Sequence, residues 1–423
     1  MIDVSRCVGV NQQMEETRIR ELDGLRAVAV LLVLVWHYFG VPDGKDYWLW
    51  KALHVGRFGV DLFFVLSGYL ITNILLKNRN SPTYFSSFYG RRALRIWPIY
   101  YLMCAASFVG WLFQLSPTLF DTNGVPGWTY LFGLQNFGIA VAQNNGVYWL
   151  GGTWSLAIEE QFYLLFPVLV RKIPLERLFG ILLAPIIVCP IGRLIDSTLH
   201  DAYGWYVLPQ FRADALAIGA LVAWWRLYGK PSETVTLAVN NWFNRALLCL
   251  PLLWLLGTGR WSVAFSHTIA GAFFGLSLFL VLENRGARRL KILRGPVAAF
   301  FAKTSYAAYM IHHVVIYILF RMTGEARTLT TLSGIAMTGI AVLLTFVICA
   351  LSYRYFEMPL IAFGHRRFSF GKPGVGTPSN LIAGETDRPA GGVEFFPRRM
   401  ARSEQSVNPG SQAGLADNGQ ALT

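Results

Sequence analysis

Long apolar blocks divide this chain, and they constrain its fold more than any other feature. Blocks of about 20 residues recur between residues 23 and 352, and each is long enough to cross about 30 Å of hydrocarbon as a helix. Hydrophobic residues make up 54% of the 423 residues and charged residues only 14%, whereas soluble domains average about 25% charged. The sequence therefore predicts an all-α integral membrane protein.

Ten such blocks predict a bundle of about ten transmembrane helices. They lie at 23–41, 58–77, 96–115, 153–170, 178–196, 210–228, 246–262, 263–282, 298–320 and 329–352. Basic residues cluster in alternate connections and in both tails, whereas the long 116–150 connection has no Lys or Arg. The positive-inside rule then predicts that both termini are cytoplasmic, in a multi-pass protein of the plasma (inner) membrane.

The remaining composition sets the domain boundaries and the expected partners. We predict a cytoplasmic segment at 1–22, a transmembrane domain at 23–360, and a disordered cytoplasmic tail at 361–423, which is rich in Gly, Pro, Ser and Asn. The net charge of +13 comes from the loop clusters and tails, so the expected partner is the lipid bilayer and not nucleic acid. The five cysteines are scattered without a CxxC pair, and we predict no metal.

The first block reads LDGLRAVAVLLVLVWHYFG and carries Asp23, Arg26 and His37. Each charged group at bilayer depth costs roughly 2.5–3.5 kcal/mol on insertion scales, which indicates a function. Arg26 and His37 are eleven residues apart, almost three helical turns, so they share one face with His37 near the bilayer middle. Asp23 is one turn from Arg26 and is placed to pair with it.

Further ionisable residues reach a similar depth on other predicted helices. Glu159, in GGTWSLAIEEQFYLLFP, is about 12 Å below the outer boundary and so level with His37. The two predict a buried acid/base pair in which Glu159 orients the imidazole. SYAAYMIHH brings His312 and His313 to the same level, and we expect one of the two to be structural. Glu160 is expected to face a polar crevice.

Charged residues also mark both mouths of the predicted bundle. YGRRALRIWPIY places Arg92 and Arg95 on one face where the third helix begins, which suits phosphate groups, although a topology anchor would explain them too. Asp61, Arg212 and Asp214 stand near helix entrances on the outer side, where they could bind a polar acceptor or pair with one another. A proton-coupled transporter would also explain this set of ionisable residues.

Seven motifs, in order, resemble the membrane-bound acyltransferase-3 family, which includes O-antigen and other carbohydrate O-acetyltransferases. They are LDGLRAVAVLLVLVWHYFG, VDLFFVLSGYLI, YGRRALRIWPIYY, WSLAIEEQFYLLFP, RADALAIGALVA, SYAAYMIH and YRYFEMP, spread over about residues 20–360. Each motif alone is a weak pattern, but the ordered set is specific.

The resemblance implies an activity and assigns residues to it. Family members move an acyl group, usually acetyl, from cytoplasmic acyl-CoA to a hydroxyl of an extracytoplasmic acceptor such as a surface polysaccharide or glycolipid sugar. The family's residues fall on His37 and its partner Arg26, on Arg92 and Arg95, on Glu159 with Glu160 as an alternative, on His312, and on Glu357.

The resemblance implies that Arg92 and Arg95 hold the CoA phosphates and that His37, oriented by Glu159, transfers the acyl group. The residues expected to serve substrate binding are Asp23, Asp61, Glu160, Arg212, Asp214, His312 and Glu357. His37 would either carry the acyl group covalently or act as general base for the acceptor hydroxyl, and the sequence leaves both routes open. An antibiotic or lipid acceptor remains an alternative within the same family.

Overall fold

The computed structural model describes residues 19–39, 53–115, 120–199, 204–229, 232–235, 237–239, 241, 259–324 and 331–371. All regular structure within these ranges is helical, as the sequence predicts.

Three long helices form the first part of the fold. Helix α1 spans Arg20–Phe39, α2 spans Gly59–Lys77 after a 3-10 turn at His54–Phe58, and α3 spans Tyr84–Leu112. Helix α3 begins twelve residues before its predicted apolar block at 96–115 and continues through Pro98. A membrane helix tolerates an interior proline because neighbouring elements satisfy the freed backbone group.

The predicted 116–150 loop contains folded segments of its own. Helix α4 spans Gly127–Leu131, α5 spans Gln135–Ala142, and a 3-10 helix covers Tyr148–Thr153. This 3-10 helix is buried at Trp149, whose indole nitrogen donates a hydrogen bond to the Ser107 hydroxyl on α3. The segment therefore packs into the protein and leads directly into the next long helix.

Of the remaining helices, the long ones lie close to predicted blocks, whereas the short helices at Gly204–Val207 and Met358–Arg367 match none. In order, these helices are α6 (Trp154–Lys172), α7 (Leu175–Leu199), α8 (Gly204–Val207), α9 (Ala213–Trp224), α10 (Arg260–Glu283), α11 (Pro296–Thr323), α12 (Leu332–Ser352) and α13 (Met358–Arg367). Short π-helical turns extend α9 over Trp225–Gly229 and join α12 to α13 over Tyr353–Glu357.

Six helical segments in the described ranges are long and apolar enough to cross a membrane. They are Arg20–Phe39, Val55–Lys77, Tyr84–Leu112, Leu175–Thr198, Arg260–Glu283 and Leu332–Arg367. The protein is accordingly a multi-pass, all-α membrane protein. The predicted span at 246–262 lies mostly outside the described residues, and the total of ten and the cytoplasmic placement of the termini stay predictions.

Close helix crossings hold the site-bearing helices together. Helix α2 packs along α9, and α1 packs along α11. At the first crossing Gly68 faces the Leu216 carbonyl and Gly219 faces the Val65 carbonyl, so closely that a Cβ on either glycine would collide with backbone. Small residues at such contacts let membrane helices approach and gain van der Waals packing.

The first part of the predicted tail at 361–423 is folded, while the domain boundary at residue 360 stays a prediction. Helix α13 continues to Arg367, and the chain after it is tied to the start of α3. The Ser87 hydroxyl donates to the Ser369 carbonyl at 2.7 Å, and the Ser81 hydroxyl donates to the Gly371 carbonyl at 3.0 Å. Such polar contacts leave no apolar pattern in the sequence, so the sequence did not predict them. Residues 372–423 and 1–18 lie outside the described residues.

Candidate active site

An open cavity lies between α1, α2, α3, α6 and α11. Its walls bring together four predicted residues from three helices: Arg26 of α1, Arg92 and Arg95 of α3, and Glu159 of α6. Three guanidinium groups and one carboxylate make this a basic, phosphate-compatible site.

Glu159 is held by two hydroxyl groups on the cavity wall. Ser67 of α2 and Tyr163, one turn along α6, each donate a hydrogen bond of 2.9 Å to its carboxylate. The Arg92 guanidinium lies 5.2 Å above the Tyr163 ring, and the charges of Arg92 and Arg26 both act on Glu159. Glu159 is therefore held in place on the cavity wall, in the field of two cavity arginines.

The three arginines of the third helix have different surroundings. Because α3 begins at Tyr84, Arg92 and Arg95 stand on the side of its third and fourth turns, and the predicted placement at the helix start is wrong. Both line the cavity. Arg91 instead donates to the Phe368 carbonyl and lies 5.1 Å above the Phe370 ring, so it anchors the chain after α13.

His37 pairs with a histidine of α11. Its Nδ1 is 3.0 Å from Nε2 of His312, and the Nδ1 of His312 is 2.9 Å from the Ala308 carbonyl oxygen. His312 is 1% exposed, whereas His37 is half-buried with the His313 ring 4.5 Å from its own. Both histidines of the predicted doublet thus contact His37, and His312 is the one that hydrogen-bonds to it.

The predicted pair of His37 and Glu159 is wrong. Helices α6 and α11 meet at the hydroxyls of Ser155 and Tyr309, which are 2.6 Å apart. From that contact Glu159 lies one turn along α6, and His312 lies almost one turn along α11 in the opposite direction. By helix rise, Glu159 and the histidine pair are about 10 Å apart along the bundle.

The depth prediction placed the outer membrane boundary near residue 151, but depth does not give the register between two helices. In the structure the contact between Ser155 and Tyr309 sets the register of α6 against α11. Glu159 lines the cavity and is not level with His37.

The three histidines also form a group with the geometry of a candidate metal site. One ring nitrogen from each of His37, His312 and His313 lies within 4.8 Å of the others. By ligand type three imidazoles suit Zn²⁺. Two of these histidines are also joined by the hydrogen bond between Nδ1 of His37 and Nε2 of His312.

A buried charge cluster lies where acceptor-binding residues were predicted. Arg212 is 3.1 Å from one oxygen of Asp61, and Nδ1 of His267 is 3.0 Å from the other. The Arg212 guanidinium also lies 5.4–5.7 Å from the rings of Phe64, Trp154 and Tyr206. Asp61, Arg212 and His267 are each at most 1% exposed, which favours the alternative that these residues pair with one another.

Asp214 pairs with an arginine that the sequence analysis did not single out. Arg193 of α7 donates to Asp214 at 2.9 Å, to Thr268 at 2.5 Å and to the Ala264 carbonyl at 2.9 Å. It therefore links α7, α9 and α10 from a fully buried position. Arg193 and His267 both sit inside apolar blocks, so the cost of a charge in the membrane was a signal that could have identified them.

The other predicted carboxylates lie at separate places. Glu160 accepts a hydrogen bond of 3.0 Å from the Trp97 indole on α3. Glu357 is 5% exposed and lies in the field of Arg95. Asp23 is buried near the start of α1, and its pairing with Arg26 stays a prediction.

Comparison with known proteins gives this site its context. The chain is 27% identical over 371 residues to a peptidoglycan O-acetyltransferase of Listeria monocytogenes, covering 81% of this chain and 56% of that protein. It is 26% identical to an O-acetyltransferase of Staphylococcus aureus, covering 82% of this chain and 58% of the relative. The chain thus matches a little over half the length of these curated relatives.

No solved structure matches the chain. The sequence profile of the acyltransferase-3 family, described as an acyltransferase domain, matches residues 19–354 and so covers most of the sequence. The match includes every helix that lines the cavity and both partners of the histidine pair. The resemblance read from the motifs is confirmed, and the chain belongs to the acyltransferase-3 family.

Proposed function

We propose that this protein is a membrane O-acyltransferase. It moves an acyl group, with acetyl as the expected group, from cytoplasmic acyl-CoA to a hydroxyl of an extracytoplasmic cell-wall or surface glycan. The observation that carries the proposal is the convergence of Arg26, Arg92, Arg95 and Glu159 on one cavity. The name of the Listeria relative makes peptidoglycan the first acceptor to test.

The cavity is the proposed donor site. Guanidinium groups bind phosphate oxygens with two parallel hydrogen bonds, and three of them near one another suit the phosphates of CoA. Glu159 limits the local excess of positive charge and, through Ser67 and Tyr163, ties the arginine side of the cavity to α2 and α6.

Helix α11 provides the link from the donor site to His37. Tyr306 and Tyr309 line the cavity, and the Tyr309 ring is 6.2 Å from the ring of His312, which hydrogen-bonds to His37. A thioester that extends from the cavity along α11 would therefore approach the histidine pair. The phosphates would stay among the arginines, on the side predicted to be cytoplasmic.

Two chemical routes at His37 fit this arrangement. In one, an imidazole nitrogen attacks the thioester carbon, the C–S bond breaks, CoA leaves as the thiolate, and the acceptor hydroxyl then takes the acyl group. In the other, His37 takes the proton of the acceptor hydroxyl while its oxygen attacks the thioester directly. In both routes the hydroxyl proton finally converts the CoA thiolate to the thiol.

The acceptor is proposed to approach from the opposite side of the histidine pair. There Tyr148 lies 6.0 Å from the His313 ring and 5.4 Å from the Tyr317 ring, and Tyr148 is 39% exposed. Exposed aromatic faces offer apolar contact and a polar hydroxyl to a sugar ring.

Radiolabelled acetyl-CoA tests the proposal. The full chain in proteoliposomes is expected to transfer label to soluble peptidoglycan fragments, and His37→Gln is expected to abolish the transfer. Arg92→Gln should raise the KM for acetyl-CoA at least about tenfold, since a hydrogen bond to a charged group contributes roughly 1.5–3 kcal/mol. Arg177→Gln, at an exposed position outside the cavity lining, is the charge-matched control.

Two results would refute the proposal. A proton-coupled transporter would leave peptidoglycan and every other offered glycan, lipid or antibiotic acceptor without label. Full acyl-transfer activity in folded His37→Gln protein would show that the reaction does not take place at His37.

A further inference from the structure

The hydrogen bonds around His312 determine where its protons lie. A backbone carbonyl oxygen only accepts hydrogen bonds, so the 2.9 Å contact with Ala308 places a proton on Nδ1 of His312. His312 is 1% exposed, and burial favours the neutral ring. A neutral imidazole with its proton on Nδ1 has its lone pair on Nε2 and can only accept there.

This arrangement fixes the tautomer of His37 in turn. The bond of 3.0 Å joins Nε2 of His312 to Nδ1 of His37, so the shared proton belongs to His37. A neutral His37 with its proton on Nδ1 carries its lone pair on Nε2. We propose that His312 is a positioning residue that holds His37 in the Nδ1–H tautomer and so makes Nε2 the reactive nitrogen.

The hydrogen bonds from Ala308 through His312 to His37 have a chemical consequence. In a relay of this kind the second group does not react, but it selects the tautomer and orientation of the imidazole that does. Here the backbone of α11 orients His312, and His312 orients His37 across the contact between α1 and α11. Its meaning for catalysis rests on the proposed function, whereas the tautomer itself can be measured without any reaction.

Nitrogen NMR on the full chain, labelled with ¹⁵N-histidine, tests the assignment. The His37 signals are identified by their loss in His37→Gln. We expect a pyridine-type shift for Nε2 and a pyrrole-type shift for Nδ1 in the wild-type protein. His312→Gln keeps an acceptor oxygen near the position of Nε2 and should retain this pattern, whereas His312→Leu should lose it.

Kinetics provide the second measurement. Since loss of tautomer control in a catalytic triad can cost about 10⁴ in kcat, we expect His312→Leu to lower kcat at least about tenfold with the KM for acetyl-CoA little changed. His312→Gln should recover most of kcat. His313→Leu controls the spectrum, since His313 contacts the His37 ring without taking part in the hydrogen bond, and it should leave the His37 tautomer unchanged.

Several outcomes would overturn the positioning role. They are a pyrrole-type Nε2 on wild-type His37, an unchanged spectrum in folded His312→Leu, and nitrogen shifts that move when Zn²⁺ is added, which would make the three histidines a metal site. Failure of the proposed function would look different: no acyl transfer by the wild-type protein, with the predicted nitrogen shifts intact.

Discussion

Substitution of Gly59, the first residue of α2, tests whether the geometry of the cavity depends on the close contact between α1 and α2. A Cβ built on this glycine would lie 2.6 Å from the Ala29 carbonyl oxygen and 2.8 Å from a Val33 methyl group, both on α1. Ordinary contacts begin at 3.4 Å, so Gly59→Ala must separate the helices locally by about 0.8 Å. Overpacking of this kind costs about 1–3 kcal/mol.

The displacement should also reach the cavity. Ser67 lies about two turns along α2 from Gly59, and its hydrogen bond to Glu159 is 2.9 Å long. If α2 moves as a rigid helix, this distance approaches about 3.7 Å, beyond hydrogen-bond range. Misplacement by about 1 Å can reduce a rate by up to about 10²-fold, so Gly59→Ala should lose most of its acyl-transfer activity.

Thermal unfolding in detergent and acetyl transfer in proteoliposomes measure the two effects. At about 2–4 °C per kcal/mol for a large domain, Gly59→Ala should lower Tm by about 2–12 °C. Gly339→Ala is the matched control, because the described residues leave open space around its Cβ in the middle of α12. There the substitution should be neutral or stabilising by up to about 1 kcal/mol. Equal Tm and equal activity in the two variants would refute the close-contact reasoning.

Three other substitutions test separate contacts. Arg193→Met leaves Asp214 buried without its ion-pair partner, so it should destabilise the protein by about 3–5 kcal/mol, and a wild-type Tm would contradict this. Ser67→Ala removes one of two donors to Glu159, so it should destabilise the protein by about 1–3 kcal/mol and lower transfer in radiolabel assays, and a wild-type Tm with full transfer would contradict this. Arg91→Gln should speed backbone hydrogen exchange in the chain after α13, with the KM for acetyl-CoA unaffected; a raised KM would place Arg91 in the donor site.

The identity of the four charged cavity residues was predictable from the sequence because each carries its own signal. Four charged residues lie within or beside apolar blocks: Arg26, Arg92, Arg95 and Glu159. An isolated charge is energetically costly there, so its presence indicates a function. Each belongs to a predicted helix, and the structure brings all four to one wall of the bundle. Their identity was therefore predictable, although their common location was not.

The partner of His37 was not predictable from depth alone. Depth was measured from an assumed membrane boundary near residue 151, and such a depth does not determine the register of one helix against another. A shift of one turn moves a side chain about 5.4 Å along a helix, which is enough to exchange one hydrogen-bond partner for another. Helix–helix register depends on tertiary contacts such as Ser155 with Tyr309, which no local pattern encodes.

The proposed site has two parts, the arginine-lined cavity and the pair of His37 and His312, and α11 connects them. Tyr306, Tyr309 and His312 follow one another at three-residue intervals, so each is a surface neighbour of the next, about 4.5 Å further along the helix axis. Tyr306 and Tyr309 belong to the cavity, and His312 belongs to the histidine pair. Because a helix is rigid over two turns, the backbone of α11 sets the distance between the donor site and His312, and the hydrogen bond from His312 then positions His37. A fixed distance of this kind lets the phosphates and the thioester occupy separate sites at once, which transfer from a long donor molecule requires.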